Sequence, residues 1–316
     1  MHIPDGFLDA KTAVATGGLA VAGLGVSLHH VRRRLPRRKI PMLGLAAAFV
    51  FAAQMLNFPV AGGTSGHLIG GVLTAVLLGP SAAVIVLTSV LIVQCFVFAD
   101  GGVTALGANI FNMGIIGGVG GYAIYRAVSR MFSGTRGLVM AAVFAAWCST
   151  VVAAISCAGQ LALSGTVAWS IAFPAMANVH MLIGIGEGFI TALVIVAILR
   201  ARPELLEQTT SNTTTPAYGP VLVFGLLISF GLALFVAPFA CSWPDGLDKV
   251  AKTLGFEHRA VEAALVHSPI ADYQLPGISS AAVATSLAGV IGTIVVFILA
   301  FLLARVLVPK PAPDSH

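Results

Sequence analysis

The sequence predicts an all-α polytopic membrane protein: a seven-element helical bundle with an extracytoplasmic N-terminus, then a two-helix C-terminal module. Three observations carry this reading. Only 9% of the residues are charged against 58% hydrophobic, and mean hydropathy is +0.97, whereas soluble domains carry roughly a quarter charged residues. So few charges cannot cover a water-facing surface, and the apolar residues must face lipid. Those residues also form continuous runs, not the alternation that a transmembrane β-strand requires. Finally, the basic residues collect on alternate breaks between the runs.

Taken in order, the apolar runs span 12–31, 40–57, 68–78, 81–98, 103–125, 138–163, 178–199, 220–237 and 281–304. The third is too short to cross alone at about 1.5 Å per residue. With its neighbour across Gly79-Pro80 it predicts a bent hairpin inside the bundle. The first break holds Arg32, Arg33, Arg34, Arg37, Arg38 and Lys39, which marks it as cytoplasmic. Alternation then puts Arg126, Arg130, Arg136, Arg200, Arg202, Arg305 and Lys310 on the same side, thirteen of the seventeen Lys and Arg residues. Lys11, Lys249, Lys252 and Arg259 fall outside. The expected location is a bacterial or archaeal cytoplasmic membrane, N-terminus outside and C-terminus inside.

Composition divides the chain into a membrane domain over 1–202, a cytoplasmic linker over 203–218 and a two-span module over 219–316 with an outer loop at 238–280. The linker reading rests on the low-complexity run Thr209-Thr210-Ser211-Asn212-Thr213-Thr214-Thr215-Pro216. Of four cysteines (Cys95, Cys148, Cys157, Cys241), none shows C-x-x-C spacing, and three sit in apolar runs as small core residues. The first residues are not a signal peptide: Asp5 and Asp9 replace a basic n-region, and arginines follow the first apolar run. Met1 is therefore expected to persist, the more so because His2 is bulky.

Topology brings Met1 and His2 to the same outer face as His67, in the glycine-rich turn Gly62-Gly63-Thr64-Ser65-Gly66-His67. A free α-amine, the deprotonated amide nitrogen of His2 and His2 Nδ1 chelate one ion in fused five- and six-membered rings. These three nitrogens are held close to one plane, and an imidazole from His67 fits the open fourth position. Such a set suits Ni(II) or Cu(II), and imidazole also suits Co(II) and Zn(II). Mg and Ca prefer oxygen. Alternatively, His67 caps a helix and takes no part in metal binding.

The opening Met1-His2-Ile3-Pro4-Asp5-Gly6-Phe7-Leu8 resembles the N-terminal signature of the substrate-capture membrane component of nickel/cobalt energy-coupling-factor transporters. So do Phe58-Pro59-Val60, Gly66-His67-Leu68-Ile69-Gly70-Gly71, Asp100-Gly101-Gly102 with Gly107-Ala108-Asn109, and His180-Met181-Leu182-Ile183-Gly184-Ile185-Gly186-Glu187. The resemblance covers roughly residues 1–202. In the tail, Ser242-Trp243-Pro244-Asp245-Gly246-Leu247-Asp248 resembles the PDGLE-type accessory component, with Asp248 in place of the usual Glu. The resemblance implies Ni2+ or Co2+ as transported substrate, held by the Met1 amine, the His2 amide and imidazole, and His67. It also implies a transmembrane coupling subunit and two ATPase subunits as partners.

Other polar residues invite lesser roles. His180 and Glu187 lie seven apart, two turns along one helix face, with His180 expected near the outer end. An ionisable group at the depth of Glu187 is costly and serves either the metal pathway or a structural hydrogen bond. Asn57, Asn109 and Asn178 are candidates to orient the histidines, and Asp5 to anchor the Pro4-Asp5-Gly6 turn. His258 and His267 read as solvated. Ala48-x-x-x-Ala52 offers a close-packing face, for a partner or for this chain itself.

The sequence has no G-x-x-x-x-G-K-[ST], so it cannot bind ATP by a Walker A loop, and as part of an ATP-driven transporter it would depend on separate ATPase subunits. An intramembrane metalloenzyme would need H-E-x-x-H or a similar cluster with an open position, and none is present. A stand-alone nickel/cobalt carrier is the alternative; carriers place their ligands near the bilayer midplane, whereas these lie at the outer surface.

Overall fold

The computed structural model describes residues 2–206, 218–261 and 265–308. Each predicted apolar run coincides with helix. Helix α1 (Ala10–Arg34) opens on Asp9, whose carboxylate accepts from Thr12 N at 2.9 Å, and closes on Arg32, Arg33 and Arg34. That order places negative charge at the positive end of the helix dipole and positive charge at the other. Then follow α2 (Ile40–Gln54), the short α3 (Gly71–Leu78) and α4 (Pro80–Phe98). Gly79, at φ +91°, breaks the chain between α3 and α4, and Pro80 starts the next helix where no donor is needed.

Helices α5 (Leu106–Asn109) and α6 (Gly121–Ser129) are joined by a π-helical stretch, Ile110–Gly120, into one helical run. The long pair α7 (Gly134–Leu163) and α8 (Trp169–Ala201) packs face to face. After the linker come α9 (Tyr218–Gly231), the loop helix α10 (Gly246–Leu254) and α11 (Ala281–Leu307). Among the described residues six helices are long and apolar enough to cross a membrane; α2, α3 and the composite α5–α6 run fall short of that criterion.

Three features depart from the sequence reading. The turn after α2 contains an antiparallel hairpin, β1 (Phe58–Val60) with β2 (Thr64–Gly66), Phe58 paired with Gly66. Its turn glycines, Gly62 and Gly63, take φ of +78° and +68°. Helix α8 starts at Trp169, nine residues before the expected boundary, because Pro174 is tolerated inside it instead of ending it. His180 therefore lies three turns into the helix, not at its end. Lastly, the two-span module packs on the membrane domain; the linker run 207–217 lies outside the described residues. Helix α11 packs along α2 and α4 so closely that a Cβ on Gly292 would overlap the Phe51 ring and lie 2.8 Å from Phe98. Phe51, Phe98, Ile85, Leu87 and Val296 form one buried cluster across both parts of the chain.

Candidate metal-capture site

The N-terminal segment is threaded into the bundle. Ile3 and Phe7 are buried. Asn109 grips Ile3 with both ends of its amide: Ile3 N donates to Oδ1 at 2.8 Å and Nδ2 donates to Ile3 O at 3.2 Å. Gly102 N adds a bond to Ile3 O at 2.8 Å. Asp5 accepts from Val103 N (3.1 Å), Thr104 N (2.8 Å) and Thr104 Oγ1 (2.5 Å). A Cβ on Gly102 would collide with Asp5 N and lie 2.6 Å from Asp5 Oδ1. The Asp100-Gly101-Gly102 run is thus a backbone cradle for residues 2–5, and Asp5 and Asn109 hold the segment against it.

His67 follows β2 and is buried. Its loop is fastened from below by Glu187 of α8, whose two carboxylate oxygens accept from Ile69 N at 2.6 Å and Gly70 N at 2.9 Å. Gln54 Nε2 donates to Ile69 O at 3.0 Å. Glu187 thus makes structural hydrogen bonds to the stretch next to His67. His67 Nδ1 lies 3.1 Å from Leu68 O. A carbonyl only accepts, so Nδ1 carries the proton and Nε2 the lone pair.

These two segments bring His2 and His67 into stacking contact, ring centroids 5.1 Å apart and planes 18° from parallel. His2 Nε2 lies 3.2 Å from Gln94 Oε1 and His2 Nδ1 lies 3.1 Å from Asp100 Oδ1. Burial lowers the imidazole pKa of His2, partly opposed by Asp100; burial likewise holds His67 well below the ordinary imidazole value. Burial thus favours the neutral form of each ring, the form that binds metal, while Asp100 favours the protonated form of His2.

The 238–280 loop roofs the site. Ser65 N donates to Pro244 O at 2.9 Å and Ser65 Oγ to Trp243 O at 2.7 Å. Val261 N donates to Asp5 O at 3.0 Å, and Phe256 packs on Phe7. Asp245 caps α10 by accepting from Asp248 N at 2.9 Å. It lines a small cavity together with Gly66, His67, Ile69, Thr150, His180, Ile183 and Gly246. Burial and the neighbouring Asp245 push the Asp248 carboxyl up to about 6. Further along the loop, Tyr273 stacks on Phe98 and donates its hydroxyl to Asp100 Oδ2 at 2.6 Å.

Not every predicted residue joins this site. Met1 lies outside the described residues. Asn178 is exposed, on the side of α8 away from buried His180, and Asn57 takes part through its backbone carbonyl, which accepts from Cys241 N at 2.8 Å. His258 and His267 are exposed. Gln94, Asp100, Asp245 and Tyr273 were missed as individual side chains. Asp100 and Asp245 stand in recognisable motifs, but Gln94 and Tyr273 carry no sequence signal.

Residues 2–205 match the family described as the cobalt uptake substrate-specific transmembrane region, and residues 219–309 match the PDGLE domain. The chain is 38% identical over 307 residues to a putative fused nickel transport protein NikMN of Archaeoglobus fulgidus, covering 96% of this chain and 98% of that one. It is 35% identical to a probable fused nickel transport protein LarMN of Lactiplantibacillus plantarum, covering 73% and 75%. To a putative cobalt transport protein CbiM of Methanococcus voltae it is 34% identical, covering 67% and 96%. Among solved structures, a truncated transition metal transporter superimposes with a TM-score of 0.58 at 34% identity, covering 63% of this chain and 99% of that one. The chain belongs to the cobalt uptake substrate-specific transmembrane family, carries a PDGLE domain behind it, and is a multi-pass nickel/cobalt transport component, not an enzyme.

Proposed function

We propose that the chain captures Ni2+, or Co2+, at its N-terminus with high affinity, as the substrate-specific subunit of an energy-coupling-factor transporter. The ligands are the Met1 amine, the His2 amide nitrogen and Nδ1, and His67. The observation that carries this reading is the stacking of His2 and His67, 65 positions apart, at 5.1 Å. In a chain so poor in polar residues, two buried imidazoles in contact, one of them at position 2, need a chemical reason.

On this reading metal binding displaces a contact of His2. His2 Nδ1, the chelating atom, faces Asp100, so the ion takes the place of that contact as the ring turns to it. His67 supplies its Nε2 lone pair, with Nδ1 turned to Leu68 O. The nickel names of the full-length fused relatives favour Ni2+; a cobalt transporter is also similar over the first two thirds. The absence of a Walker A loop requires separate ATPases, and with them a transmembrane coupling subunit. Orientation follows from the clustered arginines: N-terminus and roof loop outside, C-terminus inside.

The decisive experiment is titration with Ni2+ and Co2+ of protein with its native N-terminus and of protein extended by one glycine before Met1. The extension keeps every side chain and moves the amine out of the chelate. Stoichiometric binding is expected to collapse on extension and in His67→Ala. Unchanged binding by the extended protein refutes the N-terminal chelate.

A further inference from the structure

His180 is buried in α8, and its two ring nitrogens differ sharply. Nδ1 lies 2.8 Å from Met176 O, an atom that only accepts, so Nδ1 carries the proton and Nε2 presents a lone pair. That Nε2 has no hydrogen-bond partner among the described residues. Leaving such an acceptor buried and unmet is destabilising, a cost that stability alone gives no reason to keep. The ring lines the small cavity that His67, Thr150, Asp245 and Gly246 also line. The roof sits directly on the ring: a Cβ on Gly246 would lie 2.7 Å from His180 Cε1 and 2.9 Å from Nε2. A neutral imidazole, tautomer fixed by its other nitrogen and lining a cavity shared with a second imidazole and a carboxylate, is arranged as a metal ligand.

We propose that His180 is a metal ligand in a second position for the transported ion, reached from the N-terminal chelate by ligand exchange through His67. The inference rests on the reading above. The ion keeps His67, gives up the Met1 and His2 nitrogens and gains His180 Nε2, with Asp245 beside it; the His2 amide takes its proton back from water. The second position is a transfer point and not a resting cage, because no three His, Cys, Asp or Glu residues among those described are grouped to hold an ion. Its place three turns into α8, on the cavity that His67 also lines, makes it the next stop after capture.

The test uses the full chain and Co2+, followed by visible absorption up to millimolar metal, in four proteins: native, extended by one glycine before Met1, His180→Gln, and both changes together. The extended protein is expected to keep a weaker cobalt signal that disappears when His180→Gln is added. His180→Gln alone is expected to keep tight stoichiometric binding, which also shows that it is folded, while cobalt uptake by the assembled transporter falls about tenfold or more. A cobalt signal and an uptake rate indifferent to His180→Gln in both backgrounds overturn the inference. Failure of the N-terminal reading looks different: the extended protein then binds as tightly as native, and His180→Gln still decides whether His180 is a ligand. Gly246→Ala, which presses on the ring without removing it, is expected to weaken the same signal.

Discussion

Replacing Glu187 by Gln changes one oxygen for an amide N–H2 and leaves the shape of the side chain intact. In the native protein two backbone donors, Ile69 N and Gly70 N, converge on the two carboxylate oxygens at 2.6 and 2.9 Å. The amide satisfies one of them and turns a donor towards the other. Hydrogen bonds to a charged group contribute about 1.5–3 kcal/mol each, and a buried donor left unmet costs a similar amount. The substitution is therefore expected to lose about 1.5–3 kcal/mol, and thermal unfolding in detergent should shift by about 2–4 °C per kcal/mol. The loss falls on the loop that carries His67. Where metal binding needs that loop ordered, the same energy appears as a roughly 10–150-fold weaker Ni2+ affinity. Titration of Glu187→Gln alongside the native protein measures both. If Glu187→Gln unfolds at the native temperature and binds metal as tightly, Glu187 does not hold the His67 loop.

Tyr273→Phe removes the hydroxyl that Asp100 accepts at 2.6 Å and keeps the ring stacked on Phe98; supporting groups behind metal ligands typically change affinity roughly 10–100-fold, and Ni2+ titration should show a change of about tenfold. Metal-free protein should lose stability on acidification. His2 and His67 are held below the ordinary imidazole pKa by burial, so the unfolded chain binds more protons as pH falls through about 6.5; the contribution is present above that range and fades below it. Unfolding temperatures at about pH 7 and about pH 5 test this, and His67→Asn should flatten the difference. Gly292→Val places side-chain atoms in space that the Phe51 ring already fills and should cost about 1–3 kcal/mol by overpacking, read as a lower unfolding temperature.

How much of this was legible in the sequence depends on the kind of signal. Apolar runs located every long helix, because lipid demands continuous apolar surface and nothing else in the chain competes with that pattern. The start of α8 lies nine residues before its apolar run, and the helix, packed on α7, continues through Pro174. The β1–β2 hairpin was hidden by its length: three residues per strand leave no detectable alternation. His2 and His67 were legible through chelate chemistry and side-of-membrane counting. Their supports divide differently. Asn109, a candidate to orient the histidines, holds Ile3 next to His2, and Asp5, a candidate to anchor its own turn, bonds Val103 and Thr104, whereas Asn178 was equally plausible by composition and faces outward, since helical phase at one position is beyond a run-based reading. Tyr273 was invisible: its contact with Asp100 spans 173 positions and depends on where α11 seats the loop.

That seating explains why fusion suits this site. The roof meets the hairpin and the capture segment through single hydrogen bonds, at Ser65 with Pro244 and at Asp5 with Val261, each individually modest, and through Phe256 packed on Phe7. A free loop would have to overcome the entropy of docking before those bonds repaid it. In the fused chain α11 lies against α2 and α4 over buried Phe51 and Phe98, so the roof is delivered at high effective concentration whether or not metal is present. On the proposed reading, modest contacts over the site let the roof open for the ion while α11 stays anchored on Phe51 and Phe98. A roof secured by strong polar contacts of its own would hold the ion as firmly as it admitted it, and a transport protein must let its cargo go.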